Sequence, residues 1–164
     1  MLYELRPAVL AQVGLVQALR QRLDAVERRA GVNARLEVKE PLRLTPATEE
    51  GLYRICQEAL NNALKHASAH TVVVRLLRKD NELLLEVADD GVGFAPPLPS
   101  AVAGPGLEWI QERAAQLNAK LEIETAPGQG TTVRVSLLEA NAGAGRLGNE
   151  GSAPVEQSTH EKPE

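Results

Sequence analysis

The sequence predicts an α+β fold, a two-layer α/β sandwich in which helices cover one face of a mixed or antiparallel sheet. Two observations carry this expectation. Apolar residues recur every three or four positions in three long segments and alternate in five short ones. The resulting order is helix, strand, helix, hairpin, loop, helix, hairpin, which segregates helices from antiparallel strands rather than alternating them as a doubly wound parallel sheet does.

Each element has its own justification. Val9, Val13, Val16, Leu19, Leu23 and Val26 predict a helix over residues 8–30, and Gly31 stops it. Ala34, Leu36 and Val38 alternate, giving a short strand over 34–38. Thr45 then offers a capping hydroxyl, Pro46 suits a first helical position, and Glu49 and Glu50 lie near the positive helix end. That helix runs to about His66 on a face of Leu52, Ile55, Ala59, Leu60, Ala63 and Leu64. Two β-rich runs, 71–77 and 83–88, flank Lys79-Asp80-Asn81-Glu82, a hairpin with Asp80-Asn81 as its turn. Residues 94–105 contain four prolines and are expected to form a loop. A helix over 107–117 has the inward stripe Leu107, Ile110, Ala114 and Leu117. The runs 120–124 and 131–137 close the domain as a second hairpin around residues 126–130.

The bulk numbers narrow the class. A hydrophobic fraction of 43% in 164 residues supports one core. Tyr3, Tyr53, Phe94 and Trp109 are the only aromatic residues, so that core is built from Leu, Val, Ile and Ala. Of the net charge of −4, −3 falls from Glu139 onward, and no basic patch invites nucleic acid. From about Ala140 the composition turns to Gly, Ala, Asn, Ser, Glu and Pro, which cannot bury enough apolar surface to order residues 140–164. Cys56, the one cysteine, excludes an internal disulfide and reads as a small buried hydrophobe, with a reactive thiol as the alternative. No signal peptide and no apolar run near the roughly 18 residues of a membrane span is present. A cytoplasmic location is expected, with a membrane involved only through a sensor region outside this sequence.

Four motifs carry chemistry. Glu58 and Asn62 stand four apart and share one side of a helix, although Asn61-Asn62 weakens helix interiors. A carboxylate and a carboxamide so placed suit a hard cation such as Mg²⁺, whose remaining shell would be water and phosphate. Solvent exposure of both is the plainer alternative. Asp89 follows the aliphatic Leu83, Leu85 and Val87, and a carboxylate at that depth needs a donor. The amino group of adenine is one, whereas a keto group there would leave it unpaired. Gly91 and Gly93 allow torsions closed to other residues and close ligand approach, although Asp90-Gly91 also makes an ordinary turn. Gly104 and Gly106 stand before the helix expected at Leu107, whose free N–H groups suit phosphate oxygens. A flexible loop leading into a helix explains them equally well. Gly130-Thr131-Thr132 is either a plain turn or brings Thr131 beside Asp89, if their strands are neighbours. A dinucleotide fingerprint is excluded, because Phe94-Ala-Pro-Pro-Leu-Pro bars a helix from starting within the glycine turn.

These segments resemble a known family. RICQEALNNALKHA is similar to the N box of the GHKL ATPase superfamily, and DDGVGF to its first glycine box. GPGLEWIQERA resembles the second glycine box and APGQGTTVRVSL the final Gly-Thr strand. Among members the resemblance is to sensor histidine kinases of the NarL and DesK type, over about residues 2–138. It implies a Bergerat-type ATP-binding fold and a catalytic domain that uses ATP and Mg²⁺. Its product is a phosphohistidine on a dimerisation domain, and the phosphoryl group then passes to a response regulator. By position it implies that Glu58 orients or activates the phosphoryl acceptor, Asn62 binds Mg²⁺, and Asp89 binds the adenine amino group against Gly91 and Gly93. Gly104, Gly106 and Leu107 would border the lid over the phosphates, and Thr131 would support the base through Asp89 and water. Lys65 would contact phosphate or remain a solvated lysine, and His66 would serve the helix end.

The resemblance also divides the chain. Residues 1–30 would be the end of a dimerisation helix and a linker, 31–139 the ATP-binding catalytic domain, and 140–164 a tail. Two departures stand out: no phosphoacceptor motif like E-L-H-D is present, and Pro105 and Trp109 occupy the second glycine box where small or polar residues are usual. A stand-alone serine kinase of the anti-sigma type and a non-catalytic nucleotide-binding interaction module are the alternatives.

Overall fold

The computed structural model describes residues 7–39, 44–65, 68–93 and 100–138, with backbone alone for 100–107. In chain order the elements are α1 (Ala8–Ala30), β1 (Asn33–Val38), α2 (Pro46–Lys65), β2 (Thr71–Lys79), β3 (Glu82–Asp89), α3 (Ser100–Gln116), β4 (Lys120–Thr125) and β5 (Thr131–Leu138). The strands form one mixed sheet in the order β1-β2-β3-β5-β4. β1 runs parallel to β2, and the other pairs are antiparallel. Asp80 takes φ +54° in the two-residue β2–β3 turn, a torsion that Asp tolerates better than most side chains.

The period of two along each strand gives the sheet its two faces. Val72, Val74 and Leu76 of β2, Leu83, Leu85 and Val87 of β3, and Val133, Val135 and Leu137 of β5 are buried beneath the helices. The opposite face carries a charged row that crosses all five strands. Glu37 pairs in register with Arg75, Arg75 with Glu86, Glu86 with Arg134, and Arg134 with Glu122. Arg75 donates to Glu37 and Glu86, and Arg134 to Glu86 and Glu124. Glu86 at the centre is only 9% exposed. Burial alone would push its carboxyl up, but the hydrogen bonds from Arg134 and Arg75 outweigh it and hold that carboxyl below the usual range.

Helix α2 forms the centre of the other layer, packed on β2, β3 and α3. The expected cap is present: the Thr48 N–H donates to Thr45 Oγ1 at 3.2 Å, and the two hydroxyls pair at 2.9 Å. Leu52, Ile55, Cys56, Ala59, Leu60 and Ala63 are buried, as the helical spacing predicts. Burial pushes the Cys56 thiol up to about 12 against the opposing charge of Arg22, so it is an inert core residue. Among the described residues no helix is long and apolar enough to cross a membrane.

Two helix expectations require correction. Residues 8–30 are not one regular helix, because Gly14 lies at φ 77°, ψ 174° and kinks α1 there. The kink changes the buried stripe. Val13 is 40% exposed, and Leu10 and Leu15 enter the core instead. Leu10 and Leu15 stand on either side of the break, and both are buried in the core. The core residues of α1 join those of α2 and the sheet in one cluster. The second correction concerns α3, which starts at Ser100 rather than at Leu107. Pro105 was expected to belong to the loop, but it lies within α3, where proline removes the bond to the carbonyl four residues back and crowds that carbonyl with its ring. Both effects fall on the carbonyl of residue 101, in the first turn of α3.

Candidate functional site

Asp89 is the last residue of β3 and continues the inward row of Leu83, Leu85 and Val87. Strand pairing sets Thr131 of β5 directly opposite it, and Thr125 of β4 opposite Thr131. The half-buried Asp89 carboxylate accepts the N–H of Gly91 at 2.8 Å and that of Thr131. Burial pushes its carboxyl up, and these two backbone donors only partly offset that push. The neighbouring Asp90 has a different task. It is exposed, and its Oδ1 accepts the N–H groups of His70 and Thr71, each at 2.8 Å, tying the end of β3 to the start of β2. The Thr71 donor is the main cause that holds the Asp90 carboxyl below its ordinary value. Of the two adjacent acids, Asp90 is structural and Asp89 points into the helical layer.

Glycines beside Asp89 are required by the chain's own backbone. Gly93 has φ +61°, and a Cβ on it would lie 2.0 Å from the carbonyl oxygen of Ala126. Gly130 has φ +73°, and a Cβ there would lie 2.0 Å from the carbonyl oxygen of Asp89. The Gly128 N–H donates to the Val92 carbonyl at 2.7 Å. The 90–93 turn and the 126–130 loop therefore interlock, and Gly91 is buried beside them. Close approach is needed here, as the sequence suggests, but between two segments of the same chain.

Glu58 and Asn62 project from the flank of α2, one turn apart and partly buried. Neither side chain has a hydrogen-bond partner among the described residues. Lys65, in the last turn of α2, is exposed. No group of three His, Cys, Asp or Glu side chains able to hold a metal occurs among the described residues. The oxygen donors on α2 fit a cation that completes its shell from a ligand rather than a site built wholly from protein.

Gly104, Gly106 and Leu107 lie inside α3, not ahead of it. The N–H groups left free by helix geometry belong to the turn starting at Ser100, so the phosphate-facing helix end expected at Leu107 is displaced by about two turns. His66 and the 94–99 segment with Phe94 and its prolines lie outside the described residues. Thr125 was missed by the sequence reading. Its hydroxyl lies 3.0 Å from that of Thr131 and 3.3 Å from the Gly130 carbonyl oxygen. The signal was a polar residue at the end of the alternation Leu121, Ile123, Thr125, an inward position that has no use for a hydroxyl unless it has a partner.

Residues 47–141 match the family described as histidine kinase-, DNA gyrase B-, and HSP90-like ATPases, and the chain belongs to that family. A sensor-like histidine kinase of Chloroflexus aurantiacus is 38% identical over 144 residues, which are 82% of this chain and 24% of that protein. Sensor histidine kinase ComP of Bacillus subtilis is 37% identical over 130 residues, 78% of this chain and 17% of ComP. The chain spans about a quarter or less of the length of these relatives. Among solved structures, the blue-light activated histidine kinase of Erythrobacter litoralis shares the fold. Its TM-score is 0.63 at 23% identity, over 77% of this chain and 42% of that one. The chain therefore carries an ATP-binding domain of this family, in the GHKL fold that the motifs resemble.

Proposed function

We propose that this domain holds Mg²⁺-ATP between α2 and the end of β3 and presents its γ-phosphoryl group to a histidine on a dimerisation domain. A response regulator is the onward acceptor. Residues 1–30 lead in from that dimerisation domain, and 31–139 form the catalytic unit; the reaction belongs in the cytoplasm, where ATP is supplied. The observation that carries this reading is the Asp89 carboxylate, drawn into the helical layer with the backbone N–H groups of Gly91 and Thr131 as its donors among the described residues. It has acceptor capacity left for an adenine amino group.

Transfer breaks the bond between the γ-phosphorus and the β–γ bridging oxygen and forms a phosphorus–nitrogen bond to the imidazole. The electron pair leaves on ADP. Glu58 holds the acceptor imidazole and takes the proton from its other nitrogen. Asn62 would supply an oxygen to Mg²⁺, and the ion would neutralise phosphate charge there. Lys65 reaches phosphate from the end of α2, Gly91 and Gly93 wall the base, and Gly104, Gly106 and Leu107 follow the lid on α3. Phosphoryl transfer asks a protein mainly for position and charge neutralisation, and so sparse a set of side chains meets that demand.

The test supplies a dimerisation helix pair in trans with γ-labelled ATP. Acid-labile label on histidine is expected, and Glu58→Gln should lower its rate by roughly 10²- to 10⁴-fold while changing ATP affinity little. Label on serine, or tight binding with no label, contradicts the reading in favour of a serine kinase or a binding module. In the same material Asn62→Ala should weaken ATP binding in Mg²⁺ but not in EDTA; equal losses in both would remove its metal role.

A further inference from the structure

We infer that α1 and the end of α2 enclose a second ligand site, which takes a phosphate-class oxyanion between the guanidinium groups of Arg22 and Arg29. A cavity of about 150 Å³ opens where the two helices meet, lined by Arg22, Ala25, Val26, Arg29 and Ala30 of α1 and Leu64 of α2. Positions 22, 25, 26 and 29 share one helix face, so both arginines border the cavity from the α1 side. No carboxylate lines it among the described residues.

Other arginines of the chain have acceptors. Arg28 donates to the Asp24 carbonyl, Arg54 pairs with Glu50, and Arg75 and Arg134 hold the glutamate row. Among the described residues Arg22 and Arg29 have neither a hydrogen bond nor an ion pair. Arg29 stands in the last turn of α1, where a cation suits the helix itself. Arg22 lies about two turns earlier and has no such account. Its Nε is shut off from solvent without an acceptor, and its charge is felt at the buried Cys56 thiol of α2. A buried donor left unmatched has lost its hydration and gained nothing. An anion supplies the missing acceptor, and no hydrogen bond has to break for the guanidinium to turn towards it.

Size and charge define the class. The cavity is about five times the roughly 30 Å³ share of one water, enough for a tetrahedral oxyanion. It falls short of the roughly 300 Å³ at which pockets for larger small molecules begin. Two guanidiniums match a dianion, and their planar forks suit pairs of phosphate oxygens. This is not the nucleotide site: Leu64 follows Asn62 by two residues, about 200° of helix turn, and faces away from the Asn62 flank of α2.

The experiment titrates inorganic phosphate into the whole chain at neutral pH and fixed ionic strength, with chloride as the control, and follows backbone amides. Saturable shifts are expected at Ala25, Val26 and Leu64, with or without a non-hydrolysable ATP analogue in Mg²⁺. Arg22→Met keeps the apolar stem and removes an unpaired charge, so it should melt no lower than the wild type in chloride. It should weaken phosphate binding roughly tenfold or more, the worth of a charge-assisted contact. Arg29→Met should weaken binding as well, and decides the matter should Arg22→Met not fold. Phenyl phosphate in a parallel titration distinguishes the source. Tighter binding than inorganic phosphate assigns the aliphatic wall to the organic part of a phosphorylated molecule; equal or weaker binding assigns the site to free phosphate. Both uphold the site. Absence of saturable shifts at those amides, their loss when the analogue is bound, or unaltered affinity in the methionine variants overturns it. The titration without analogue stands whether or not the nucleotide reading does.

Discussion

Asp89 is costly to the folded chain by itself. Burial raises its carboxyl above the ordinary value, so its ionisation detracts from stability once the pH exceeds the folded pKa, and stability recovers as pH falls through that value. On the proposed reading nucleotide binding would reverse the relation, because the amino group of adenine would favour the ionised acceptor. Asp89→Asn should accordingly leave the melting temperature of the free chain unchanged or raised, while ATP affinity falls tenfold or more, about 1.5–3 kcal/mol. Wild-type affinity should also weaken as pH drops through the raised carboxyl value, and the asparagine variant should lose that dependence. Calorimetry across the acid range checks both, and a variant with unaltered affinity and pH profile would contradict the assignment. Asp89 could be picked from the sequence because it ends an alternating run. The separate duties of Asp89 and Asp90 could not, since the Asp90 partners lie nineteen and twenty residues back along the chain.

At the scale of elements, local periodicity was readable and breaks in it were not. The strands, the Thr45 cap and the buried face of α2 follow from neighbours within a few residues, and each was legible. The α1 kink depends on where two half-helices meet the core, and the start of α3 depends on whether a proline's lost bond matters there. Neither is a local property. Gly14 illustrates the first case: nothing lies within 4 Å of a Cβ placed on it, so Gly14→Ala would be resisted by its torsions alone. We expect that substitution to lower stability by about 1–3 kcal/mol in chemical denaturation, or to straighten α1 and withdraw Leu10 from the core. Unchanged stability with Leu10 still protected would contradict the kink. Thr125 belongs to this scale as well, because its meaning appears only after β4 is paired with β5.

Across the whole molecule, the sheet divides its duties between two faces. The helical face holds the core and the Asp89 row, and the opposite face is held in register by the Glu37-Arg75-Glu86-Arg134 row. A row of alternating charge discourages strand slippage, since a shift of two residues sets Glu86 opposite Val73 or Leu77 on β2, or opposite Thr132 or Ser136 on β5, and takes an arginine from it. Glu86→Gln should cost roughly 1–3 kcal/mol, between an exposed and a buried pair, since both arginines are about one-third exposed. The sign with pH follows from the depressed carboxyl. Its contribution is complete above the unfolded value of about 4.3 and is lost as pH falls through the lower folded value. Urea unfolding of Glu86→Gln should show a flatter acid limb than the wild type, and an identical limb would contradict the role.

The most direct test of the account follows backbone amide resonances while a non-hydrolysable ATP analogue is added in Mg²⁺. Saturable shifts are predicted at Asn62 on α2 and at Asp89, Gly91 and Thr131 around the end of β3. Saturation with those amides unmoved, or with shifts gathered on the Glu86 face of the sheet, would contradict it.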